Sequence, residues 1–342
     1  MGLFSDNESH VGVDIGTSGI KIVELQKKGN KNFLLTYGFA ELSGFKDLDW
    51  QKDIKYTAKI IDKTIKKAGV SSKSAIAALP VFKVFSSVLN LSKVPKKEVE
   101  EAISREAGEI MPMPIEDMVL DWKKMSANNS EDKKYFKVFV TGAPKELVQS
   151  YVELFKEANI NLSSLETESF SLIRSLLGND KSSSLIVEIG AGTTDIFVSQ
   201  KGIPVLSRSI DLGGRVITEM ISKQIGGSPE EAEQFKRDLG NSGQDDLPEN
   251  IKKAIEPIVN EIKYVLNLFS KKRNENVEKI VLSGGSSMLP GLTNYFAQTF
   301  DLNTVVGDPW SRVDCSPEIT PVLKSFGPRL AVAIGLAMRG KE

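Results

Sequence analysis

The sequence contains a single cysteine and a single histidine, and these shortages exclude several kinds of chemistry. Cys315 has no partner in the chain for an internal disulfide, and His10 alone cannot build a zinc cluster. No Ser-His or Cys-His catalytic pair is available away from the N-terminus. The composition therefore favours a reduced, cytosolic protein.

Long apolar runs and an excess of charge are also missing. The longest apolar run, residues 330–338, is far shorter than the ~20 residues that span a bilayer. The start "MGLFSDNES" lacks an export signal, and Asp6 stands where a myristoylation motif needs Ser or Thr. Lys and Arg number 44 against 45 Asp and Glu, a net charge of -1. We therefore expect no nucleic-acid partner and no direct membrane insertion.

Two common signatures of nucleotide binding are absent as well. The chain has no GxxxxGK[ST] stretch and no GxGxxG after a strand, so P-loop and dinucleotide-binding folds lose their main support. Residues 11–25, "VGVDIGTSGIKIVEL", offer something else. They combine an acid at the end of an apolar strand, a turn of glycines and hydroxyls, and a lysine just past that turn.

The length of 342 residues suggests about two domains. The first segment reads as three strands in a meander, a helix over 53–68 ended by Gly69, and the strand "SAIAALP". Residues 81–159 read as a βαββα block with a polar loop at 126–133. This order predicts a βββαβ unit followed by an inserted subdomain.

The second half repeats the meander in "LIVEIGAGTTDIFVSQKGIPVLSRSIDLGG". Both copies place an acid inside an apolar strand, two residues before a glycine, as in "VDIGTSG" and "VEIGAGTTD". Residues 215–273 are predicted helical with a break at "GNSGQDD", and a buried strand, a glycine turn and the apolar helix "PRLAVAIGLAMR" follow. The repeat predicts an α/β protein with two similar lobes.

The first turn has the groups that a phosphate needs. Gly16, Thr17, Ser18 and Gly19 can present backbone N–H groups and two hydroxyls into one concavity. Lys21 adds a point charge, and Asp14 can hold a hydrated Mg²⁺. Taken alone, the same segment also fits an ordinary hairpin in which Asp14 and Lys21 are solvated neighbours.

The second copy makes the hairpin alternative weaker, because Gly190, Gly192, Thr193 and Thr194 can oppose the first turn across a cleft. Glu188 and Asp195 add carboxylates there. At a third turn, the sequence "SGGSS" would let a base and ribose approach the backbone, although a plain helix-entry turn is the alternative. The glycines of "DLGGR" can approach the phosphates from the side.

Taken in order, "VDIGTSGIKIVEL", "VEIGAGTTDIF" and "IVLSGGSSMLPG" resemble the two phosphate motifs and the adenosine motif of the actin-like ATPase superfamily. The stretch "EAGEIMPMPIEDMVLDW" in the inserted block resembles the PilM family of the type IV pilus machinery, which is related to FtsA. The resemblance implies a two-lobed, ribonuclease H-like actin fold with an inserted βαββα subdomain. The implied subdomains are 1A (1–80 and 160–182), 1C (81–159), 2A (183–214 and 278–342) and 2B (215–277).

The resemblance also implies the ligands and their residues. ATP or ADP with Mg²⁺ would lie between the lobes, with Asp14 and Glu188 holding the metal through water. The implied nucleotide contacts are Gly16, Thr17, Ser18, Gly19, Lys21, Gly190, Ala191, Gly192, Thr193, Thr194, Gly213, Gly214, Lys263, Tyr264, Gly284, Gly285 and Ser286. Lys263 and Tyr264 fit an exposed helix face equally well. Glu168 falls where filament-forming relatives place a water-orienting carboxylate, with a surface glutamate as the alternative.

Two positions depart from the pattern. Relatives usually carry Asp where this chain has Glu188, and an added methylene can displace a carboxylate by about 1 Å, enough to cost on the order of 10²-fold in rate. Ala191 removes another possible carboxylate. Nucleotide binding is therefore expected, with ATP hydrolysis weak or absent.

The resemblance implies an ATP-binding scaffold of the pilus inner-membrane platform. Its partner would be the short cytoplasmic N-terminal tail of PilN, bound in a groove between subdomains 1A and 1C, with other platform and motor proteins as further contacts. The protein would be cytoplasmic and held at the inner membrane through that partner. The alternatives are a small-molecule kinase of the same superfamily and an FtsA-like membrane-associated filament protein.

Overall fold

The structure is a computed structural model that describes residues 9–41, 49–92, 94–125, 135–239 and 246–339. The predicted loop at 126–133, Asp6 of the N-terminal segment, and nearly all of "GNSGQDD" lie outside the described residues.

The described residues form fourteen strands and ten α-helices. The strands are β1 (Ser9–Gly16), β2 (Gly19–Lys28), β3 (Lys31–Glu41), β4 (Ser74–Leu79), β5 (Phe85–Ser92), β6 (Met118–Lys124), β7 (Tyr135–Pro144), β8 (Asn161–Thr167), β9 (Ser184–Ile189), β10 (Thr194–Gln200), β11 (Ile203–Ile210), β12 (Lys279–Ser283), β13 (Asn303–Val306) and β14 (Val313–Asp314). The helices are α1 (Ile54–Ala68), α2 (Val99–Gly108), α3 (Lys145–Glu157), α4 (Glu168–Leu172), α5 (Gly214–Ile225), α6 (Pro229–Leu239), α7 (Glu249–Ala254), α8 (Glu256–Arg273), α9 (Leu292–Phe300) and α10 (Thr320–Ala337).

Within the described residues, the strands form three sheets, and two of them are built alike. The first has the order β14-β3-β2-β1-β4-β8, and the second has the order β11-β10-β9-β12-β13. In each, an antiparallel meander continues into parallel strands: β1 pairs with β4, and β9 pairs with β12. The predicted repeat of the meander is therefore confirmed.

Helix α1 illustrates how local sequence sets an element. The Asp53 side chain accepts a hydrogen bond from the Tyr56 amide, which satisfies an otherwise unpaired donor of the first turn. Gly69 ends the helix in the left-handed conformation, with φ of 66°. The predicted helix over 53–68 and its stop at Gly69 agree with this geometry.

The third sheet, in the order β5-β7-β6, belongs to the inserted block and packs its own apolar cluster against α2. Helix α3 behaves differently. Its buried side chains, such as Leu147 and Phe155, join the core under the first sheet, together with Ile61 of α1. Helix α3 of the inserted block therefore packs with the core of the first sheet. The division into subdomains at 80, 159, 182, 214 and 277 stays a prediction.

Two helices lie between the main sheets. Leu172 of α4 and Leu336 of α10 share one cluster with Ile76 of the first sheet and with Ile186 and Val281 of the second. Helix α10 begins eight residues before Pro328, earlier than the predicted segment "PRLAVAIGLAMR". An interior proline removes one backbone donor and normally kinks or breaks a helix. Helix α10 nevertheless continues through Pro328, with buried residues on both sides of it. These helices bring the turns at the ends of the two meanders onto a common cleft.

Candidate functional site

The first glycine turn joins β1 to β2 and carries an ion pair. Asp14 and Lys21 are direct cross-strand partners, and Lys21 Nζ donates to Asp14 Oδ2 over 2.7 Å. Burial by itself lowers the pKa of Lys21, but the neighbouring Asp14 carboxylate outweighs it and the net pKa is raised. The ammonium also lies against the turn, 3.1 Å from the place of a Cβ on Gly16. A fixed positive charge is thus held at the turn.

The neighbouring strand β3 leaves no room for a side chain at Gly19. It has a φ of 149°, and a Cβ there would overlap the carbonyl oxygen of Ala40 in β3. A side chain at this position would push β3 away and open the turn. The tight turn therefore depends on this glycine.

The second turn joins β9 to β10 in the same way. Glu188 and Asp195 are cross-strand partners, and the Gly190 amide donates to the Thr193 carbonyl over 2.9 Å. Thr194 is fully buried, and its hydroxyl donates to the Leu212 carbonyl over 2.6 Å. The Thr194 hydroxyl therefore supports the loop behind the turn.

The two turns face each other. A Cβ on Gly192 would lie 3.2 Å from Thr17 Oγ1. The side chain of Arg215 also reaches from the second lobe to the Thr17 carbonyl, with Nη2 at 3.3 Å. The structure thus brings the two predicted phosphate turns together across one cleft.

Gly213, Gly214 and Gly284 of the second lobe pack beside the second turn. The Gly214 amide donates to the Gly190 carbonyl over 2.9 Å, and a Cβ on Gly213 would lie 2.6 Å from the Ala191 carbonyl oxygen. A Cβ on Gly214 would overlap the Ser286 hydroxyl. Gly284 has a φ of 82°, and its amide donates to the Pro328 carbonyl over 3.0 Å. The "DLGGR" loop and the third turn are therefore neighbours of the second phosphate turn.

Carboxylates dominate the electrostatics of the cleft. Burial, with the charges of Asp14 and Asp195, raises the pKa of Glu188 to about 8. Burial, with the charge of Asp211, raises the pKa of Asp195 to about 6. Glu168 accepts a hydrogen bond from the Val81 amide over 3.1 Å, and burial and the charges of Asp195, Glu188 and Asp14 raise its pKa well above its usual range. Glu168 thus belongs to the acidic group in the cleft.

These residues suit a cation that keeps its water shell. Over the ranges that the structure describes, no cluster of three or more His, Cys, Asp or Glu side chains is arranged to hold a metal directly. Asp14 and Glu188 act on each other electrostatically, and the buried Asp195 Oδ1 has no hydrogen-bond partner. Mg²⁺ commonly retains several waters and binds through one or two carboxylates and substrate phosphates. The donor set therefore fits a hydrated Mg²⁺.

Lys263 and Tyr264 lie on the exposed face of α8. The ring of Tyr264 is covered by the guanidinium of Arg208 from β11, at 5.4 Å. The structure instead brings α6 to the start of α5: Lys236 Nζ donates to the Gly214 carbonyl over 3.2 Å and to Thr218 Oγ1 over 2.8 Å. The sequence contained one signal for this, the charged Glu233 and Lys236 three residues apart on one face of α6.

Two meander-based lobes with glycine turns facing across a cleft define the actin-like ATPase fold. MreB5 of Spiroplasma citri, solved with bound ADP, has the same fold, with a TM-score of 0.53 at 14% identity over 97% of this chain and 95% of that one. A sequence model of the family described as type IV pilus assembly protein PilM matches residues 12–341. The chain belongs to the PilM family.

Two further comparisons agree with this assignment. A chain of the PilM-PilN type IV pilus biogenesis complex superposes with a TM-score of 0.82 at 27% identity, covering 97% of this chain and 98% of that one. The cell division protein FtsA of Bacillus subtilis is 23% identical over 351 residues, 89% of this chain and 80% of FtsA. The protein is thus an actin-like scaffold of type IV pilus assembly, and neither the kinase nor the membrane-filament alternative is favoured.

None of the helices in the described ranges is long and apolar enough to cross a membrane.

Proposed function

We propose that the cleft binds ATP or ADP with Mg²⁺, and that the nucleotide-loaded protein holds the N-terminal cytoplasmic tail of PilN. The proposed nucleotide binding rests on one observation, the close approach of Gly192 and Thr17 from opposite lobes. MreB5, which shares the fold, was solved with bound ADP, which supports nucleotide binding. Backbone amides of both turns would then grip the polyphosphate.

The roles divide along the cleft. Residues 16–19 and Lys21 hold the phosphates from one side, and residues 190–193 hold them from the other. Asp14 and Glu188 would hold Mg²⁺ through its waters, and the bound cation would offset the negative charge of the phosphates. The nucleoside lies against Gly213, Gly214 and residues 284–286. Lys263, Tyr264 and the Thr194 hydroxyl take no direct part.

Titration calorimetry with Mg-ATP and Mg-ADP tests this proposal. Lys21→Gln keeps a hydrogen-bond donor for Asp14 but removes the charge, so we expect ATP affinity to fall by roughly 10-fold or more. The matched control is Lys31→Gln, because Lys31 forms an exposed ion pair with Asp314 in the same sheet. Equal affinities for the two variants, or no binding by the unmodified protein, would contradict the nucleotide site.

We further propose that the bound nucleotide is turned over slowly. Glu188 is one methylene longer than the aspartate that the family resemblance implies at this position, and Glu168 is already engaged by the Val81 amide. Both features oppose the precise placement of a carboxylate that fast hydrolysis needs. Phosphate release measured alongside the titration is expected to be far slower than nucleotide exchange.

The proposal that the protein binds the PilN tail rests on the likeness to the PilM-PilN complex and on a cavity where the inserted block begins. The cavity has a volume of about 360 Å³. One wall comes from Phe82 and from Phe85 at the start of β5, and another from Thr167 and Ser169 in subdomain 1A. Residues 207–209 of β11 complete the lining. Phe82 is 53% exposed. We propose that an apolar side chain of the tail enters here, at the 1A/1C junction, and that this contact keeps the protein at the inner membrane.

Because β11 belongs to the second lobe, a movement of one lobe relative to the other would change the shape of this cavity. Nucleotide can alter tail affinity only by preferring one lobe geometry over another. We expect different affinities for a PilN tail peptide in the absence of nucleotide and with Mg-ATP. Equal affinities would remove the coupling but leave the docking site in place.

Peptide titration with Phe82→Ala tests the docking site. Losing one large apolar contact is expected to weaken tail binding by about 10-fold or more. Leu35→Ala is the control, because Leu35 is similarly exposed on β3 of the first sheet. If neither substitution weakens peptide binding, the tail binds at another site.

A further inference from the structure

Arg215 is the one residue of the "DLGGR" loop whose contacts join both phosphate turns. Its backbone amide donates to the Ala191 carbonyl in the second turn over 3.0 Å. Its guanidinium reaches across the cleft to the Thr17 carbonyl in the first turn, with Nη2 at 3.3 Å. The backbone is therefore fixed to one lobe while the charged end touches the other.

The position of the guanidinium follows the expected path of a polyphosphate. Gly214, the residue before Arg215, lies against Ser286 at the proposed nucleoside end. Thr17 and Gly192 mark the place where the two turns meet. Arg215 follows Gly214 directly in the chain, and its guanidinium ends at the second of these places. Its charge therefore lies toward the far end of a nucleotide that runs from Ser286 to Thr17.

The surroundings favour exchange of the Thr17 contact for a phosphate. Arg215 is half-buried, and burial lowers its pKa, opposed by the charge of Glu219 one turn further along α5. The guanidinium stays protonated in proteins, so burial costs solvation without removing its charge. A charge-assisted hydrogen bond to a phosphate oxygen is roughly twice as strong as a neutral one. The Thr17 carbonyl is a neutral acceptor and so the weaker of the two partners.

We propose that Arg215 binds the terminal phosphate of the nucleotide, a role that rests on the proposed nucleotide site. When ATP is bound, the guanidinium exchanges the Thr17 carbonyl for an oxygen of the terminal phosphate and so ties the second lobe to the far end of the ligand. ADP ends short of this place and leaves the Thr17 contact intact. Arg215 thus sets the preference for ATP over ADP.

Titration calorimetry of Arg215→Ala with Mg-ATP and Mg-ADP tests the assignment. We expect ATP affinity to fall roughly 10- to 100-fold, the range for one lost charge-assisted hydrogen bond, and ADP affinity to change by less than about 3-fold. Arg215→Lys keeps the charge and is expected to recover part of the ATP preference. Lys223→Ala, on an exposed position of the same helix, is the control and should change neither affinity.

The outcomes separate the two proposals. An unmodified protein that binds neither nucleotide would overturn the proposed function and this role with it. An unmodified protein that binds both, with the ATP-to-ADP ratio unchanged in Arg215→Ala, would overturn only the role of Arg215. A purely structural role would lower both affinities equally, together with the thermal midpoint. Arg215→Gln, which keeps donors but not the charge, is the second variant for the same ratio if the alanine variant does not fold.

Discussion

The acidic side chains of the cleft disfavour one another's ionisation. Asp14, Glu188, Asp195 and Glu168 act on one another electrostatically, while Lys21 is paired with Asp14. Each additional negative charge in a partly dry site raises the cost of ionising the next. Without a cation and its phosphates, the cleft therefore lowers its charge by holding protons.

This proton binding predicts a pH dependence of stability in the absence of nucleotide and divalent cation. The folded pKa of Glu188 is about 8, above its ordinary value of 4.5. A raised acid pKa means that the native state holds the proton more tightly than the unfolded state does. The resulting stability is fully present below about pH 4.5 and is lost as the pH rises toward about 8. Glu188→Gln, neutral at every pH, is expected to unfold with a higher free energy than the unmodified protein at about pH 8.5 and a similar one at about pH 5.

Denaturant titrations at the two pH values measure this difference. Asp180→Asn is the control, because a hydrogen bond from Lys279 helps lower the pKa of Asp180 to about 2. Its stabilising contribution is present above its ordinary pKa and constant between the two conditions, so its loss should cost the same at both. A Glu188→Gln effect that does not change with pH would mean that Glu188 is ionised in the native state.

At the scale of elements, the contact between α4 and α10 holds the middle of the molecule together. A Cβ on Gly335 would overlap the Ser171 carbonyl oxygen, so the two backbones touch. Arg174 donates to the Gly335 carbonyl over 2.6 Å and also pairs with Glu166 of β8. Glycine at this place allows α10 to pack closely enough for both contacts.

Gly335→Ala is therefore expected to be destabilising. Forcing a methyl group into a packed interface typically costs about 1–3 kcal/mol. Gly108→Ala in α2 is the control, because its nearest neighbour would be a side-chain atom at 3.8 Å, an ordinary contact. Urea unfolding of both variants measures the difference. Equal stabilities would mean that α4 and α10 separate without cost.

At the scale of the whole molecule, binding should be shared by two lobes. The first turn comes from the six-stranded sheet and the second from the five-stranded sheet, yet Gly192 and Thr17 approach each other directly. A ligand gripped by both turns stabilises the arrangement in which they face each other.

Amide hydrogen exchange with and without Mg-ATP tests this shared grip. We expect slower exchange at residues 16–19 and 190–193 together, because the ligand restrains both turns. Strand β6, at the edge of the inserted sheet, is the internal reference and should not change. Protection of one turn alone would mean that nucleotide binds a single lobe.

The sequence by itself determined the local elements and the kind of chemistry. Asp53 and Gly69 fixed the ends of α1, and the repeated acid–glycine–hydroxyl pattern gave both meanders and the candidate phosphate turns. Such features depend on residues close together in the chain, where backbone preferences and hydrogen-bond capping act. The inserted block followed from the order of these elements, and the family likeness from the three glycine motifs and the stretch "EAGEIMPMPIEDMVLDW".

Only the tertiary structure decided which side chains share the cleft. Lys263 and Lys236 are both basic residues on helices, but Lys263 lies on the exposed face of α8, whereas the packing of α6 brings Lys236 to the Gly214 carbonyl. Thr193 and Thr194 are neighbours in the chain, yet strand alternation buries the Thr194 hydroxyl behind the turn. The reach of Arg215 to Thr17 joins positions nearly two hundred residues apart. No short-range preference encodes such distances, because the burial of apolar surface between the lobes sets them.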